Sequence, residues 1–349
     1  RLTLSSAGPN TLTVRNVETI IGGSAADNVT FGTTIVNGVV DLRGGADSLT
    51  LSAGNNTLTV RNVETITGGS GADVVTFDTA ITGGLVDLGG GADRLILSSA
   101  GPNTLTVRNV EAITGGTATD NVTLGTAITG GSVDLGGGAD SLTLSSAGPN
   151  TLTVRNVETI TGGNAADDVT LGSAVNGAVI DLKGGADRLT LSSAGPNMLT
   201  VHNVETIVGG DAADDVRLGG AVRDALVDLG GGADRLTLSS AGPNTLTTRG
   251  VETIMGGAAA DNVTIGSRLT NGFVDLGGGY DRLFLATGDN RLTVSQVEAV
   301  FGTEGRDRVQ VRGSTDTLLV GGDGDDTLVG GRGDDTLVGG KGNDVLIGG

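Results

Sequence analysis

Repetition at two periods constrains this chain more than any other feature. From Gly321 to Ile347 it reads GGDGDDTLV, GGRGDDTLV, GGKGNDVLI, closing on Gly348-Gly349. These are three consecutive copies of the nine-residue pattern G-G-x-G-x-D-x-U-x, with U a large apolar residue. The glycines let the backbone take turns that a side chain forbids. Several carbonyls converge in such a turn and the Asp adds a carboxylate, so stacked turns offer the hard oxygen ligands that suit Ca²⁺. The apolar residue that follows begins a short strand facing a thin core.

A longer repeat built from the same grammar fills the rest. N-V-E-T-I or a close variant recurs with its Glu at Glu18, Glu64, Glu111, Glu158, Glu205, Glu252 and Glu298, about 47 residues apart. Between them stands V-D-L, with Asp41, Asp87, Asp134, Asp181, Asp228 and Asp275. Merged, the two series place acids about 23 residues apart, a period typical of solenoid repeats. A Gly-Gly turn, an Asp and a short apolar strand follow each one, and the turn alternates between two lengths, GGSAAD at 22–27 and GGAD at 44–47. Gly68 to Thr76, GGSGADVVT, is a full nonapeptide inside the long repeat, and Gly302 to Gln310 is a near match. From there Asp307, Asp316, Asp326, Asp335 and Asp344 follow a nine- to ten-residue step, so the period changes near residue 301.

The nonapeptides resemble the RTX, or hemolysin-type, calcium-binding repeat of proteins secreted by Gram-negative bacteria. The specific form of the motif covers 302–349 and a diluted form covers 1–301. The resemblance implies Ca²⁺ as the bound ion, and export through a type I channel to the cell surface or the medium.

Short apolar runs separated by Gly-rich or polar turns, with no helical period, predict an all-β chain, a parallel β-solenoid. Three such runs per half-repeat predict a right-handed, three-sided β-helix over 1–301, with about 23 residues per coil and two coils per long repeat. The nonapeptides predict a two-sided β-roll over 302–349, with two copies, or about 18 residues, per coil. In this register Glu18, Asp41, Glu64 and their successors share one column. Arg15, Arg61, Arg108 and Arg155, three residues before their Glu, offset its charge.

Composition narrows the function. Gly is 64 of 349 residues without a collagen period, aromatics are 2%, and Trp is absent, which leaves no material for a broad globular core but enough for a solenoid. The net charge of −19 excludes a nucleic-acid or anionic-membrane binder built on overall basic charge and fits a chain that binds cations. Cys is absent, so disulfides play no part, and no apolar run is long enough to span a membrane as a helix.

The strongest candidate ligands are Asp326 and Asp344, one coil apart on the same side, with Asp307 next in their column. Asp335 and Asp316 form the opposite column, where the turn before Asp316 is degenerate. Carbonyls of Gly322, Gly324, Gly340 and Gly342 complete the shell. In the long repeat Asp27, Asp47, Asp73, Asp93 and their successors form a further column, which either holds calcium or closes Asx-type turns without metal. Nothing points to catalysis. His202, the only histidine, sits in the arginine column, the serines recur in S-S-A-G loops, and each carboxylate pair recurs in every repeat where an active site needs one distinctive constellation.

These readings converge on a calcium-stabilised extracellular structural protein, part of a surface layer, filament or large adhesin, and not an enzyme. The alternative is the carrier region of a secreted enzyme or toxin whose catalytic domain lies elsewhere. A minor alternative is an ice-binding module, from the recurring T-x-T, whose threonines β-propensity also explains. Arg1 to Ser6 matches Arg94 to Ser99 inside a coil, so a segment of a longer protein is expected, with self-association as lattice, filament or end-to-end stack covering exposed coils.

Overall fold

The computed structural model of the protein describes residues 1–349. It is all β, with 38 short strands and no helix. Its contacts define two units, one of Arg1–Gly172 with Leu182–Gly185 and one of Ser173–Asp181 with Ala186–Gly349. Each is a parallel β-solenoid.

In the first unit, Thr19–Ile21, Gly38–Asp41, Thr57–Arg61 and Val74–Phe77 pair in succession in one sheet. Asn28–Phe31, Ser48–Thr50, Thr65–Thr67 and Thr82–Asp87 pair in succession in the other. Consecutive strands therefore alternate between two sheets, and each coil has two sides. The register Ile20↔Val40↔Val60↔Phe77 spaces equivalent residues by 20, 20 and 17. The second unit has the same plan, with Val263↔Leu283↔Val300 spaced by 20 and 17. Leu319↔Leu337 and Leu328↔Leu346 are 18 apart, two nonapeptides per coil as expected.

The expected three-sided coil is therefore corrected: coils are two-sided, and shorter than the half-repeat throughout. The third apolar run of each repeat does not form a strand. In Thr34-Ile35-Val36 the Ile35 side chain turns inward, buried, while Val36 is exposed. Each long repeat contains five strands, not six, and so makes two and a half coils rather than two. Successive N-V-E-T-I copies consequently alternate between the sheets: Thr19–Ile21 and Ala112–Thr114 lie in one, Thr65–Thr67 and Thr159–Thr161 in the other. The expected Glu18, Asp41, Glu64 column does not exist. Asp41 stacks between Ile21 and Arg61, and Arg61 pairs with Asp78 rather than Glu64.

The core follows from the alternation of each strand. Ile20, Leu42, Leu49, Leu58, Ile66, Leu88 and Leu95 are fully buried and stack on equivalents one coil away, each contributing roughly 1.5–3 kcal/mol by leaving water. Outward positions carry the hydroxyls: Thr13, Thr30, Thr50 and Thr67 form a column across four strands, a favourable cross-strand arrangement. It closes at Asp87, which pairs with Thr67. Asn16, Asn62, Asn109 and Asn156 do not ladder with each other. They take left-handed backbone with φ near 50°, which Asn tolerates, and Asn62, Asn109 and Asn156 donate to Asp41, Asp87 and Asp134 of the preceding coil.

The five-strand repeat makes a deletion test possible. Removing residues 104–150 joins Asn103 to Thr151 and brings in an equivalent strand, so the variant is expected to fold, with a circular-dichroism spectrum and a cooperative melt like the parent's. Removing 104–126, one half-repeat, takes out three strands together with Asp120, the rung partner of Asn103, and joins the SSAGPN loop directly to the apolar Ala127-Ile128 turn. It is expected to lose the β signal or lower the melting midpoint sharply.

Candidate metal centre in stacked turns

The turns that join the two sheets carry buried aspartates in ladders. In the first unit the backbone N–H of Asn10 donates to Asp27 Oδ1 at 3.1 Å, that of Asp27 to Asp47 Oδ1 at 2.7 Å, and that of Asp47 to Glu64 Oε2 at 2.8 Å. Asn56, Asp73, Asp93 and Glu111 repeat this on the opposite turn side, and Asn103, Asp120, Asp140 and Glu158 return to the first. The second unit holds Asn197–Asp214–Asp234–Glu252 and Asn244–Asp261–Asp281–Glu298. It also holds Asn290–Asp307–Asp326–Asp344, which enters the nonapeptides. Each opening Asn also donates its side-chain amide to the first Asp, as Asn56 Nδ2 does to Asp73 Oδ1 at 2.8 Å.

These ladders bring together Asp307, Asp326 and Asp344 as expected, and likewise Asp27 with Asp47 and Asp73 with Asp93. They correct the single long-repeat column, because Asp47 precedes a strand of one sheet and Asp73 a strand of the other. Asp335 occupies the opposite side, where its rung partner is Thr317, whose N–H donates to Asp335 Oδ1 at 3.0 Å. Asp316 is displaced by one residue and accepts instead from Asp334 N–H at 2.8 Å. The glutamates that end the long-repeat ladders were expected in a different column, and the opening asparagines escaped the sequence reading. Their signal was the constant separation of 17 from each Asn to its Asp, as in Asn10 to Asp27, Asn56 to Asp73 and Asn103 to Asp120. The more conspicuous half-repeat spacing of the acids obscured it.

Each rung uses one carboxylate oxygen. The other, Oδ2, is buried without a hydrogen-bond partner in Asp47, Asp73, Asp93, Asp140, Asp214, Asp234, Asp261, Asp281, Asp307 and Asp326. An unpaired charged oxygen in a buried site is costly unless a proton or a cation meets it. Burial pushes the carboxyls of Asp47, Asp93, Asp140, Asp234 and Asp281 up from 3.8 to about 6, against the lowering effect of the rung hydrogen bond, and neighbouring acids add to the rise. Burial likewise raises those of Asp261, Asp307 and Asp326.

The surrounding backbone fits a cation. Gly324 and Gly342 have φ of 142° and 139°, and Gly322 and Gly340 of 108° and 116°, conformations that glycine alone adopts readily. A Cβ on Gly340 would strike the carbonyl oxygen of Gly322, and one on Gly342 that of Gly324. Carbonyls of one turn thus face the glycines of the next at close range. The GGGAD turn at 89–93 keeps this geometry, with Gly89 and Gly91 at φ 85° and 141°, while GGSAAD keeps the leading Gly-Gly and replaces the later glycine by Ala25. No three acidic or imidazole side chains converge on a metal-sized site. An ion between these turns would take most of its oxygens from the backbone, and calcium accepts six to eight of them.

Comparison with known protein families agrees with this geometry. The RTX calcium-binding nonapeptide repeat (4 copies) matches residues 39–60, 63–78 and 320–349. Those stretches carry RTX-type repeats, and calcium is the ion that such repeats bind. Comparisons with curated proteins and with solved structures give no match.

The raised carboxyls have a testable consequence. Between pH 3.8 and about 6 the folded, calcium-free chain holds protons that the unfolded chain has released, so stability falls as pH rises through that window. In excess chelator the thermal midpoint is therefore expected to be higher at about pH 5 than at about pH 7. In saturating calcium the order reverses, because protons compete with the ion for Oδ2. Circular-dichroism melts at both pH values check the crossover.

Proposed function

We propose that the protein is a secreted structural element, a calcium-stiffened segment of a bacterial surface layer, filament or large adhesin. It is a calcium-binding repeat solenoid; its place outside the cell, its self-association and its lack of catalysis belong to this proposal. The observation that carries the reading is the Asn–Asp–Asp–Glu ladder. The same rungs recur along both turn sides of each unit, and each side holds unpartnered oxygens, so the load of bound ions is spread rather than focused at one point. Such distribution suits a spacer or lattice element, whose stiffness must not depend on one site.

The residues that pose as catalytic candidates have structural duties that fit this reading. Ser98 Oγ accepts from the N–H of Ala100, and Asn103 Nδ2 donates to the carbonyls of Ser98 and Gly101, closing the SSAGPN loop. His202 ends strand Met198–His202 in register with Asp181, where Arg108 faces Asp87 in the first unit. No helix is long and apolar enough to cross a membrane.

In this reading Asp326, Asp344, Asp307 and Asp335, with carbonyls of Gly322, Gly324, Gly340 and Gly342, hold calcium in 302–349. Asp27, Asp47, Asp73 and Asp93 do so in the long repeat, and Asp316, off the rung, contributes least. Acidic turns repel until cations neutralise them, so metal binding supplies folding free energy. Low intracellular calcium leaves 302–349 loose during export, and the higher extracellular level folds it.

A calcium titration of the full chain followed by circular dichroism tests the assignment. Asp326→Ala with Asp344→Ala is expected to raise the calcium midpoint several-fold and Asp316→Ala to leave it nearly unchanged. A β signal indifferent to chelator and to both variants would remove the assignment. Light scattering over the same titration reads self-association, expected to grow with calcium as the −19 charge is neutralised.

A further inference from the structure

The outer face of one sheet in the second unit, with the turn at its edge that holds Arg332, carries arginines that form no ion pair. Ion pairs join Arg61 to Asp78, Arg306 to Asp289 and Lys341 to Asp323. None uses Arg217, Arg235, Arg291, Arg308, Arg312 or Arg332, all of which are exposed. At the centre, Arg291 and Arg308 are direct register partners on adjacent strands, flanked by Thr270 and Thr327. Like charges placed directly opposite destabilise a sheet. In a chain with 40 acids, an acidic partner for this pair would be easy to supply. A carboxylate on the neighbouring turn, Asp289, is engaged by Arg306, and Arg268 donates to the Asp289 carbonyl.

The arginines fall in pairs, and each pair lines a shallow depression. One of about 230 Å³ is bounded by Asn271, Arg291, Thr293, Arg308 and Gln310. Another of about 380 Å³ lies between Arg312, Ser314 and Arg332, and a third of about 360 Å³ holds Thr200, Arg217, Arg235 and Thr237, with Asp215 at its side. Three strand steps, roughly 14 Å at the usual spacing, separate the strand of Arg235 from that of Arg291.

We propose that this face docks a linear acidic polysaccharide bearing sulfate or carboxylate groups, with Arg291 and Arg308 as its central clamp. Guanidinium forks bind such groups bidentately. The flanking Asn271, Thr293, Gln310 and Ser314 offer the amides and hydroxyls that sugar hydroxyls bond to. Charge complementarity is local, and its discontinuity selects the partner. Arginine pairs set well apart suit a polymer with intermittent charges. The dense phosphates of nucleic acid or an anionic bilayer would meet the repulsion of the whole acidic chain, and no aromatic side chain lines these depressions to stack on bases. None of these arginines is a rung of a ladder, so the surface stands or falls separately from the calcium assignment.

The test uses the full chain in saturating calcium, with immobilised dextran sulfate as probe, neutral dextran as control and poly-dT as competitor. Binding to dextran sulfate alone is expected, weakening as salt screens the charges. Arg291→Gln with Arg308→Gln is expected to weaken it about tenfold or more while the calcium-loaded melt stays as high or rises, because the opposed charges are gone. Arg291→Lys with Arg308→Lys keeps the charge, loses the fork, and is expected to fall between. Failure to bind dextran sulfate would overturn the proposal, as would undiminished binding by the Gln variant. Equal competition by poly-dT would show a general polyanion surface instead and would also overturn it.

Discussion

A carboxylate that takes one backbone N–H from the neighbouring turn and leaves its second oxygen buried and bare is the interaction on which this structure turns. The hydrogen bond fixes the spacing of adjacent turns, and the bare oxygen makes the stack incomplete without a proton or a cation. Other features of the turn follow from it. Glycines with left-handed φ let carbonyls approach the same point, and the opening Asn satisfies the first rung from a neutral side chain. In the long repeat the ladder ends in a Glu and is followed by a turn whose apolar residue fills the interior, as Ile35 does before Asn56 and Ile81 before Asn103. The ladders are thus built in short runs, each closed by a group that cannot accept a further rung, so like charges do not accumulate without a break.

Five strands per repeat distribute these ladders. An odd number of strands on a two-sided coil carries every motif to the opposite side in the next copy, so both turn sides of each unit receive ladders from a single repeated sequence. An even number would have loaded one side with every aspartate and left the other to the apolar turns. In the calcium-stiffened element proposed above, the alternation would spread the neutralised charge and the stiffness over both edges.

Charge is partitioned between interior and surface as well. Unpartnered Asp oxygens lie in the turns, whereas Arg217, Arg235, Arg291 and Arg308 stand exposed on strands. Calcium bound in the turns would neutralise the buried acids and leave the arginines as prominent charges on their face. A bound ion would thereby have two effects with one origin: it would complete the turns, and it would lower the negative field that keeps the proposed acidic partner away.

Strand grammar, parallel stacking and the ion were legible in the chain itself, because a Gly-Gly turn, an Asp and an apolar triplet each have a local physical meaning that survives in any context. GGDGDDTLV at 321–329 is sufficient to place Gly322, Gly324 and Asp326 in one turn, and a coil of two nonapeptides follows from two such units. The coil size of the long repeat was not legible. Thr34-Ile35-Val36 has the composition of a strand, and only packing against the next coil shows that Ile35 turns inward to fill a turn. That one run changes six strands per repeat to five and moves Glu64 from the column of Asp41 to the rung beneath Asp47. A sequence specifies which segments can be strands and turns, but which residue lies over which depends on the length of the closed coil. That length is set by how side chains from two facing sheets and two turns fill the space between them.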